Sequence, residues 1–369
     1  MLNVLHISPG IYVKGGIGTV LQNYLATDLP RICRLYFVSS HKDGSKYCKY
    51  YFAFAGLLST LRILLREKID IVHIHCGDTT STCRKYFYFR IAQIFKKKII
   101  LHLHASLFLK QFKEIGPFWR LRLRRFFEES NLVICLSKSW FDDIGLIFPG
   151  TKRIVVPNGI ILPDLNSHSN CSGEITITFL GIIGHRKGVF DLLKAFKDLT
   201  DEGLPISLKI GGNGEVSRLN RAIHALGLEG RVEYLGWITG EDKDSLLRKT
   251  DIYVLPSYGE GMPMSILEAM SYGIPILSTY VGGISELVED GRSGFLIKPG
   301  DIDALRSNLR LLAEDRGLRR DLGIAARRCL ETGHDIHLIA RKLACVYQAL
   351  AAQGSKDQSD YGSNLSQPC

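Results

Sequence analysis

The stretch from Glu260 to Gly273 reads Glu-Gly-Met-Pro-Met-Ser-Ile-Leu-Glu-Ala-Met-Ser-Tyr-Gly. The β-branched and aromatic run at 252–255 predicts a strand before it, and the Pro and Gly residues of 256–263 predict a loop. Pro263 suits the first turn of a helix, because its fixed φ and missing N–H cost nothing there, and Gly273 suits the helix end. A strand, a glycine-containing loop and a helix in this order are typical of an open α/β sheet, which binds ligands at the carboxyl ends of its strands.

Short apolar runs alternate with helical stretches on both sides of this region, which predicts βαβ units and a parallel sheet in each half. Strands are expected at 4–7, 35–38, 71–75, 99–103, 132–136 and 154–156, then at 175–180, 206–210, 232–235, 252–255, 276–278 and 294–297. Helices are expected at 19–29, 55–67, 82–95, 118–129 and 137–147, then at 189–199, 216–226, 242–248, 263–272, 283–288 and 302–314, with the last helices running to about 352. The predicted fold class is α/β, with two Rossmann-like β/α/β domains facing each other across a cleft.

The predicted domain boundaries follow from this alternation. An N-terminal Rossmann-like domain is expected at 1–165 and a C-terminal one at 172–335, joined by a polar linker at 163–173. A C-terminal helix at 336–352 is expected to pack back toward the N-terminal domain. The tail at 353–369 is rich in Ser, Gln, Asp and Gly, so we expect it to be disordered.

Composition indicates a reduced, cytoplasmic protein. The chain has 369 residues, of which 46% are hydrophobic, as is ordinary for soluble globular proteins. Its nine cysteines show no C-x-x-C pairing, so no metal site is expected. The N-terminal residues read as a first strand and not as a signal peptide, because they lack a basic segment and a long apolar run. The apolar stretch at 51–65 is interrupted by Arg62 and is too short to span a membrane.

Positive charge is concentrated in the first half. Residues 1–163 carry 24 Lys and Arg against 10 Asp and Glu, whereas the remainder is slightly acidic. Apolar aromatic residues lie among the basic ones near 118–127. Such a surface can sit on an anionic membrane or bind nucleic acid, and a merely soluble basic face is the simpler alternative.

Two further glycine-containing loops follow strands of the second half. The loop Gly181–Gly188 carries Arg186 and Lys187, whose charges suit a pyrophosphate that glycine lets approach closely. It matches neither G-x-G-x-x-G nor a P-loop, and a basic turn before an ordinary helix is the alternative. The loop Gly211–Glu215 contains mostly turn-forming residues, so a plain tight turn is its alternative.

The first half carries a glycine loop and histidines at strand ends. Gly15 and Gly16 follow the first strand, where glycine permits close backbone approach and a flexible loop is the alternative. His102 and His104 are expected on one face of their strand because side chains alternate. His104 is the better functional candidate because it lies at the carboxyl end, and His75 similarly ends the preceding strand while His73 reads as structural.

The string from Glu260 to Glu268 resembles the Glu-x7-Glu signature of retaining glycosyltransferases of family 4, which have the GT-B fold. The resemblance covers most of the chain, from Leu2 to about Ala352. It implies catalytic roles for His104, Arg186, Lys187 and Glu260. It implies donor binding by Gly15, Gly16, Gly184, Asn213, Gly214, Gly261, Met262, Pro263 and Glu268. Met262 departs from the family, which commonly has an aromatic residue there.

The resemblance also implies roles for these residues. Arg186 and Lys187 would hold the donor diphosphate in place of a metal ion, so no metal and no cofactor besides the donor substrate are expected. Glu268 would bind ribose hydroxyls, and Glu260 would hold the transferred sugar. The departing phosphate would take the acceptor proton, while His104 would orient the sugar or the acceptor.

The expected partners are a nucleotide-sugar donor, with UDP as the nucleotide from family frequency, and a saccharide or lipid-linked acceptor in bacterial surface-glycan synthesis. The expected place is the cytoplasm, with attachment to the inner face of the cytoplasmic membrane as the hypothesis for the basic half. Two alternatives stay open: a GT-B-like nucleotide-sugar epimerase that needs no acceptor, and a non-enzymatic nucleotide- or nucleic-acid-binding protein. No nucleic-acid partner is expected for the enzyme.

Overall fold

The structure, a computed structural model, describes residues 1–11, 13, 15–41, 46–104, 108–164 and 173–353. It forms two compact units. The first comprises Met1–Gly159 and the chain from Ile336 onward, and the second comprises Ile160–Asp335. Most of the expected linker, at 165–172, and the expected disordered tail from residue 354 lie outside the described residues.

The first unit is built on a six-stranded parallel sheet with the order β2-β1-β3-β4-β5-β6. Its strands are β1 Leu2–Ser8, β2 Cys33–Ser39, β3 Ile71–Cys76, β4 Lys98–Leu103, β5 Leu132–Cys135 and β6 Arg153–Val155. Its first seven helices are α1 Gly16–Leu25, α2 Leu29–Ile32, α3 Lys46–Arg66, α4 Thr79–Ile94, α5 Phe108–Glu114, α6 Pro117–Glu128 and α7 Lys138–Ile147. Every residue of β3 is buried, as expected of a parallel strand covered on both faces.

The second unit is also built on a six-stranded parallel sheet, with the order β12-β11-β10-β7-β8-β9. Its strands are β7 Ile175–Leu180, β8 Ile206–Gly211, β9 Val232–Gly236, β10 Ile252–Leu255, β11 Ile276–Thr279 and β12 Gly294–Ile297. Its helices are α8 Val189–Asp201, α9 Val216–Ala225, α10 Gly240–Arg248, α11 Met264–Ser271, α12 Ile284–Leu287, α13 Ile302–Glu314 and α14 Arg316–Gly333. Two parallel sheets with crossover helices confirm the predicted α/β class.

The last helix, α15 Ile336–Ala352, belongs to the first unit. It packs against α1 and α2, and its buried Tyr347 reaches the central strands, where the Tyr347 hydroxyl lies 2.7 Å from Nδ1 of His73. The chain therefore leaves the first unit after β6, forms the whole second unit, and returns to complete the first.

Three helix predictions differ from the structure. The helix expected at 19–29 is two, because Thr27 bonds the carbonyl of Tyr24 with its hydroxyl and α2 begins afresh at Leu29. The helix expected from 55 begins nine residues earlier, and α5 was not predicted. Pro263 is not in the first turn of α11: its ψ of 122° is extended, so it precedes the first helical residue, Met264.

Candidate functional site

The candidate donor site lies at the carboxyl edge of the second sheet. β7 is central in that sheet and pairs with β8 on one side and β10 on the other, so the chain direction across the sheet reverses beside it. Such a switch point leaves a crevice at the carboxyl ends of the strands, which is where open α/β sheets bind ligands. The loops that follow β7, β8, β10 and β11 meet there.

Backbone hydrogen bonds tie these four loops together. The donor–acceptor pairs are Gly181 N to Gly211 O at 3.0 Å, Ile183 N to Asn213 O at 2.6 Å, Tyr258 N to Arg186 O at 2.8 Å, and Gly283 N to Gly261 O at 2.7 Å. Because the loops brace one another through their main chains, the side chains they carry are held at fixed positions on a rigid edge.

Glu260 lies at the centre of the site and is buried, with 6% of its side chain exposed. Its Oε1 lies 2.5 Å from Nζ of Lys187 and accepts a hydrogen bond of 2.8 Å from the hydroxyl of Ser257. Nη1 of Arg186 lies 3.7 Å from the same oxygen and donates to the carbonyl of Gly259 at 3.0 Å. Two cations therefore surround one carboxylate, which leaves the cluster with a net positive charge.

The basic pair is brought to Glu260 by a short turn. His185–Lys187 form one turn of 3₁₀ helix, and Gly188 follows with a φ of 71°. A Cβ at Gly188 would lie 2.0 Å from the carbonyl oxygen of Pro256, so only glycine lets this turn pack against the loop after β10. Lys187 is mostly buried as a result, whereas about a third of the Arg186 side chain is exposed.

Glu268 lies on α11 and is held by a residue that the sequence did not indicate. Nζ of Lys243, on α10, lies 2.7 Å from Oε1 of Glu268. Both side chains are largely buried. No spacing rule links these residues, because they are 25 positions apart in the sequence and lie on two different helices. The carboxylate of Glu268 is thereby oriented before any ligand arrives.

The predicted glycine-loop residues of the second unit lie in the same four loops. Asn213 and Gly214 are exposed beside Gly184, where an added Cβ would lie 3.2 Å from Oε1 of Glu215. Gly261, Met262 and Pro263 are buried between the loop after β10 and the start of α11. Met262 is buried at the position where the family commonly has an aromatic residue.

Gly15, Gly16 and His104 belong to the first unit. Gly15 precedes α1 with a φ of 143°, and Gly16 is the first helical residue. His104 follows β4 and is partly buried, and its Nε2 lies 3.0 Å from Nδ1 of His75. Burial, together with the nearby charge of Lys85, lowers the pKa of His104 to about 3, so its imidazole is neutral at ordinary pH.

Two protein-family models together match most of the chain. Residues 164–329 match the model described as Glycosyl transferases group 1, and residues 27–162 match the model described as Glycosyltransferase Family 4. The putative colanic acid biosynthesis glycosyltransferase WcaL of Escherichia coli K12 is 32% identical over 296 residues, which make up 77% of this chain and 71% of WcaL. The chain belongs to glycosyltransferase family 4. It is an enzyme that transfers glycosyl groups.

One further relative is similar over most of the chain, and solved structures share its fold. The amylovoran biosynthesis glycosyltransferase AmsK of Erwinia amylovora is 27% identical over 354 residues, 92% of this chain and 84% of AmsK. Sucrose-phosphate synthase from Thermosynechococcus elongatus has a TM-score of 0.81 at 17% identity, covering 96% of this chain and all of that chain. Anabaena HepE in complex with UDP-glucose has a TM-score of 0.78 at 18% identity, covering 95% of this chain and 100% of the HepE chain.

For this glycosyltransferase, these likenesses confirm the predicted family, the GT-B fold and the transferase activity. They exclude the non-enzymatic alternative. The structure brings Arg186, Lys187 and Glu260 into contact within one unit, and the roles assigned to these residues stay predictions. Among the described residues, no helix is long and apolar enough to cross a membrane.

Proposed function

We propose that this glycosyltransferase transfers a sugar from a nucleotide-diphosphate sugar to an acceptor hydroxyl, with retention of configuration at the sugar and without a metal ion on the diphosphate. The observation that carries the proposal is the contact of Lys187 and Arg186 with the buried Glu260 at the carboxyl edge of the second sheet. A donor diphosphate needs positive charge as it leaves, and this cluster supplies two cations from the chain itself.

The ion pair suggests an exchange of partners when the donor binds. A diphosphate carries more negative charge than Glu260 and would take Lys187 and Arg186 as its own partners. Glu260 would keep the hydrogen bond from Ser257, and its other acceptor positions would become available to the hydroxyls of the transferred sugar. Lys187 would then have a different partner in each state of the enzyme. It neutralises Glu260 when no donor is bound, and it neutralises the diphosphate when the donor is bound.

The rest of the donor would lie along α11. The N-terminus of this helix carries partial positive charge and follows the loop that holds Glu260. Glu268, fixed by Lys243, would accept hydrogen bonds from the ribose hydroxyls. HepE, whose fold this chain shares, is described in complex with UDP-glucose, which supports UDP as the nucleotide.

The transfer would proceed without a protein nucleophile. The departing diphosphate would accept the proton of the acceptor hydroxyl on the same face of the sugar, which retains the configuration. His104 would orient the sugar or the acceptor through its neutral imidazole, because a group with a pKa of about 3 is a weak proton acceptor at neutral pH. A donor-binding role for Gly15 and Gly16, where glycine permits close backbone approach, stays a prediction of the family resemblance.

Two relatives and one surface support the proposed acceptor class. WcaL and AmsK are named for colanic acid and amylovoran biosynthesis, which supports a saccharide or lipid-linked acceptor in surface-glycan synthesis. Helix α3 exposes a stripe of large apolar side chains: Tyr51, Phe54, Leu58, Leu61 and Leu65. With exposed Arg62 and Arg66 beside the stripe, α3 suits attachment to an anionic membrane face, where a lipid-linked acceptor would be presented.

Transfer itself tests the proposal. The purified enzyme is given UDP-, GDP- and ADP-sugars with EDTA present, first alone and then with saccharide and lipid-linked acceptors. We expect release of one nucleoside diphosphate that requires an acceptor, and an α-linked product from an α-linked donor by NMR. Complete dependence on added divalent metal, or an inverted product, would contradict the proposed mechanism. Conversion of the donor sugar without acceptor would favour the epimerase alternative.

A further inference from the structure

Five histidines cover one face at the centre of the first sheet. His6 lies on β1, His73 and His75 on β3, and His102 and His104 at the end of β4. The strand register places His6 beside His73 and His75 beside His102. The ring centroids of neighbouring histidines are 4.1 to 5.3 Å apart. Imidazole is a poor choice for filling a core, so this concentration calls for a chemical explanation.

Most of these imidazole rings have a hydrogen-bond partner for at least one ring nitrogen, but His102 has none among the described residues. Nε2 of His75 lies 2.9 Å from Nδ1 of His6, and Nδ1 of His75 lies 3.0 Å from Nε2 of His104. His102 is fully buried, and neither of its ring nitrogens meets a hydrogen-bond partner among the described residues. Buried polar atoms are nearly always paired, so two orphaned nitrogens on one side chain point to a missing partner.

We propose that His75, His102 and His104 bind a divalent transition-metal ion such as Zn²⁺. Each offers one ring nitrogen, and these three nitrogens all lie within 4.8 Å of one another. Two nitrogens bound to one tetrahedral zinc ion are about 3.3 Å apart. The 3.0 Å between His75 Nδ1 and His104 Nε2 therefore needs to widen by only a few tenths of an ångström.

The donor set decides the class of ion. Three imidazoles without a carboxylate suit zinc, cobalt, nickel or copper, whereas magnesium and calcium require oxygen ligands. Burial lowers the pKa of all three histidines, so their ring nitrogens carry lone pairs at neutral pH. Three protein ligands leave the fourth position of a tetrahedral ion to water or a substrate atom.

The neighbouring histidine completes the arrangement. A metal-bound histidine is oriented by donating its other ring N–H to an acceptor. His75 can do so, because its Nε2 faces Nδ1 of His6 while its Nδ1 faces the proposed ion. The ion would link β3 to β4 and take up the Nε2 lone pair of His104. It would be separate from the diphosphate-binding charges of the second unit.

One nearby charge sets a second expectation. Lys85, on α4, is fully buried, and its charge helps to lower the pKa of His104. The same ammonium would repel a bound cation. Replacing it by the similarly sized Met should therefore tighten metal binding. Among the described residues, Lys85 donates a hydrogen bond to the hydroxyl of Ser81 and to none of the three histidines.

Titration of the metal-free full chain with Co²⁺ tests the site, because four-coordinate cobalt absorbs strongly in the visible range. We expect one equivalent to bind, to be displaced by Zn²⁺, and to bind at least about 100-fold more weakly in His102→Phe. His224→Gln is the matched control, since His224 is an exposed histidine of the second unit, and it should bind as wild type does. Lys85→Met should bind more tightly than wild type.

The melting temperatures of wild type and His102→Phe, measured with and without metal, show whether a loss of cobalt binding comes from the lost ligand or from misfolding. His102→Phe removes two unpartnered nitrogens from the core, so without metal it should be at least as stable as wild type, and Zn²⁺ should raise the melting temperature of wild type only. Should His102→Phe fail to fold, His104→Gln at the partly buried end of the cluster takes its place. Cobalt binding that is equal in wild type and His102→Phe, or that shows thiolate charge-transfer bands, would overturn the proposal.

Discussion

Lys187 and Glu260 are both largely buried, and each neutralises the charge of the other. Removing the ammonium leaves a carboxylate that is 6% exposed and that keeps, among the described residues, the hydrogen bond from Ser257 and the longer contact to Arg186. We therefore expect Lys187→Met to lower the free energy of unfolding by about 3–5 kcal/mol, as for other broken buried pairs. Urea unfolding measures this. Lys197→Met, which breaks an exposed pair with Asp201, should cost less than about 1 kcal/mol.

A second substitution separates stability from donor binding. Adding Glu260→Gln to Lys187→Met removes the orphaned charge and should restore most of the lost stability. It should not restore binding of a nucleotide sugar, because the diphosphate would still lack Lys187. Donor affinity that recovered together with stability would mean that Lys187 acts through the fold and not on the diphosphate.

The buried histidines of the first unit predict a steep loss of stability in acid. Burial lowers the pKa of His6 and of His104 to about 3, and holds those of the three histidines between them well below 6.5. Below pH 6.5 these histidines bind protons in the unfolded chain but stay neutral in the folded chain. Stability is therefore full above about pH 6.5 and falls as the pH drops toward 3, by about 1.4 kcal/mol per pH unit for each histidine.

Urea unfolding at pH 7.5, 6.5 and 5.5 with EDTA checks this sign and slope. His6→Phe should flatten the dependence by about one proton, whereas His224→Gln, at an exposed position, should leave the slope nearly as it is. Equal stability of wild type at pH 7.5 and 5.5 would contradict the burial of neutral imidazoles.

At the scale of elements, the loop between β11 and α12 is pressed against the loop that carries Glu260. Gly282 has a φ of 53°, and a Cβ there would lie 1.8 Å from the carbonyl oxygen of Glu260. Gly282→Ala should therefore displace Glu260, weaken donor binding and destabilise the second unit. Gly227→Ala is the matched control: its φ is 64°, but a Cβ there meets nothing within 4 Å.

The melting temperature and the donor affinity of the two glycine variants separate two effects: the strain of a left-handed backbone, and the clash of the new Cβ with the carbonyl of Glu260. Both should lose about 1–2 kcal/mol from the left-handed backbone, and Gly282→Ala should lose more, together with donor affinity. Equal losses in both variants, with donor affinity unchanged, would show that the loop of Gly282 does not support the site.

The exposed stripe of α3 carries the membrane prediction. Wild type should float with anionic liposomes at low salt and less at high salt, because the attraction combines apolar contact with screened charge. Phe54→Ser with Leu58→Ser should cut flotation several-fold. Leu146→Ser, at an even more exposed position on α7, should not reduce flotation. Failure of wild type to float at low salt would count against membrane attachment.

Some elements were predictable from sequence for clear physical reasons. Strands such as β7 and β10 were predicted at their observed bounds, because parallel strands buried on both faces are short apolar runs. The N-terminal part of α3 was missed, since its run of Tyr, Phe and Cys has a low helix propensity. Pro263 was placed one position too far into α11, within the usual uncertainty of helix ends.

At the scale of the whole molecule, contacts between distant residues were the least predictable. Lys187 and Glu260 lie on two different loops that the order of the strands brings together. The family resemblance implied that both residues bind the donor, but it did not predict their contact. Lys243 beside Glu268 and Tyr347 beside His73 had no signal at all, because no local pattern relates residues 25 or 274 positions apart. The two sheets could be predicted, whereas the partners of the charged groups required the structure.

The most direct measurement is a thermal-shift screen of UDP-, GDP- and ADP-linked sugars without metal, on wild type, Lys187→Ala and the control Lys197→Ala. A ligand that binds the folded state raises the melting temperature by mass action, by an amount set by its concentration over its Kd. We predict a shift with one class of nucleotide sugar that is lost in Lys187→Ala and kept in Lys197→Ala. A shift that survives in Lys187→Ala, or no shift with any donor, would contradict the assignment of the Lys187–Glu260 cluster as the donor site.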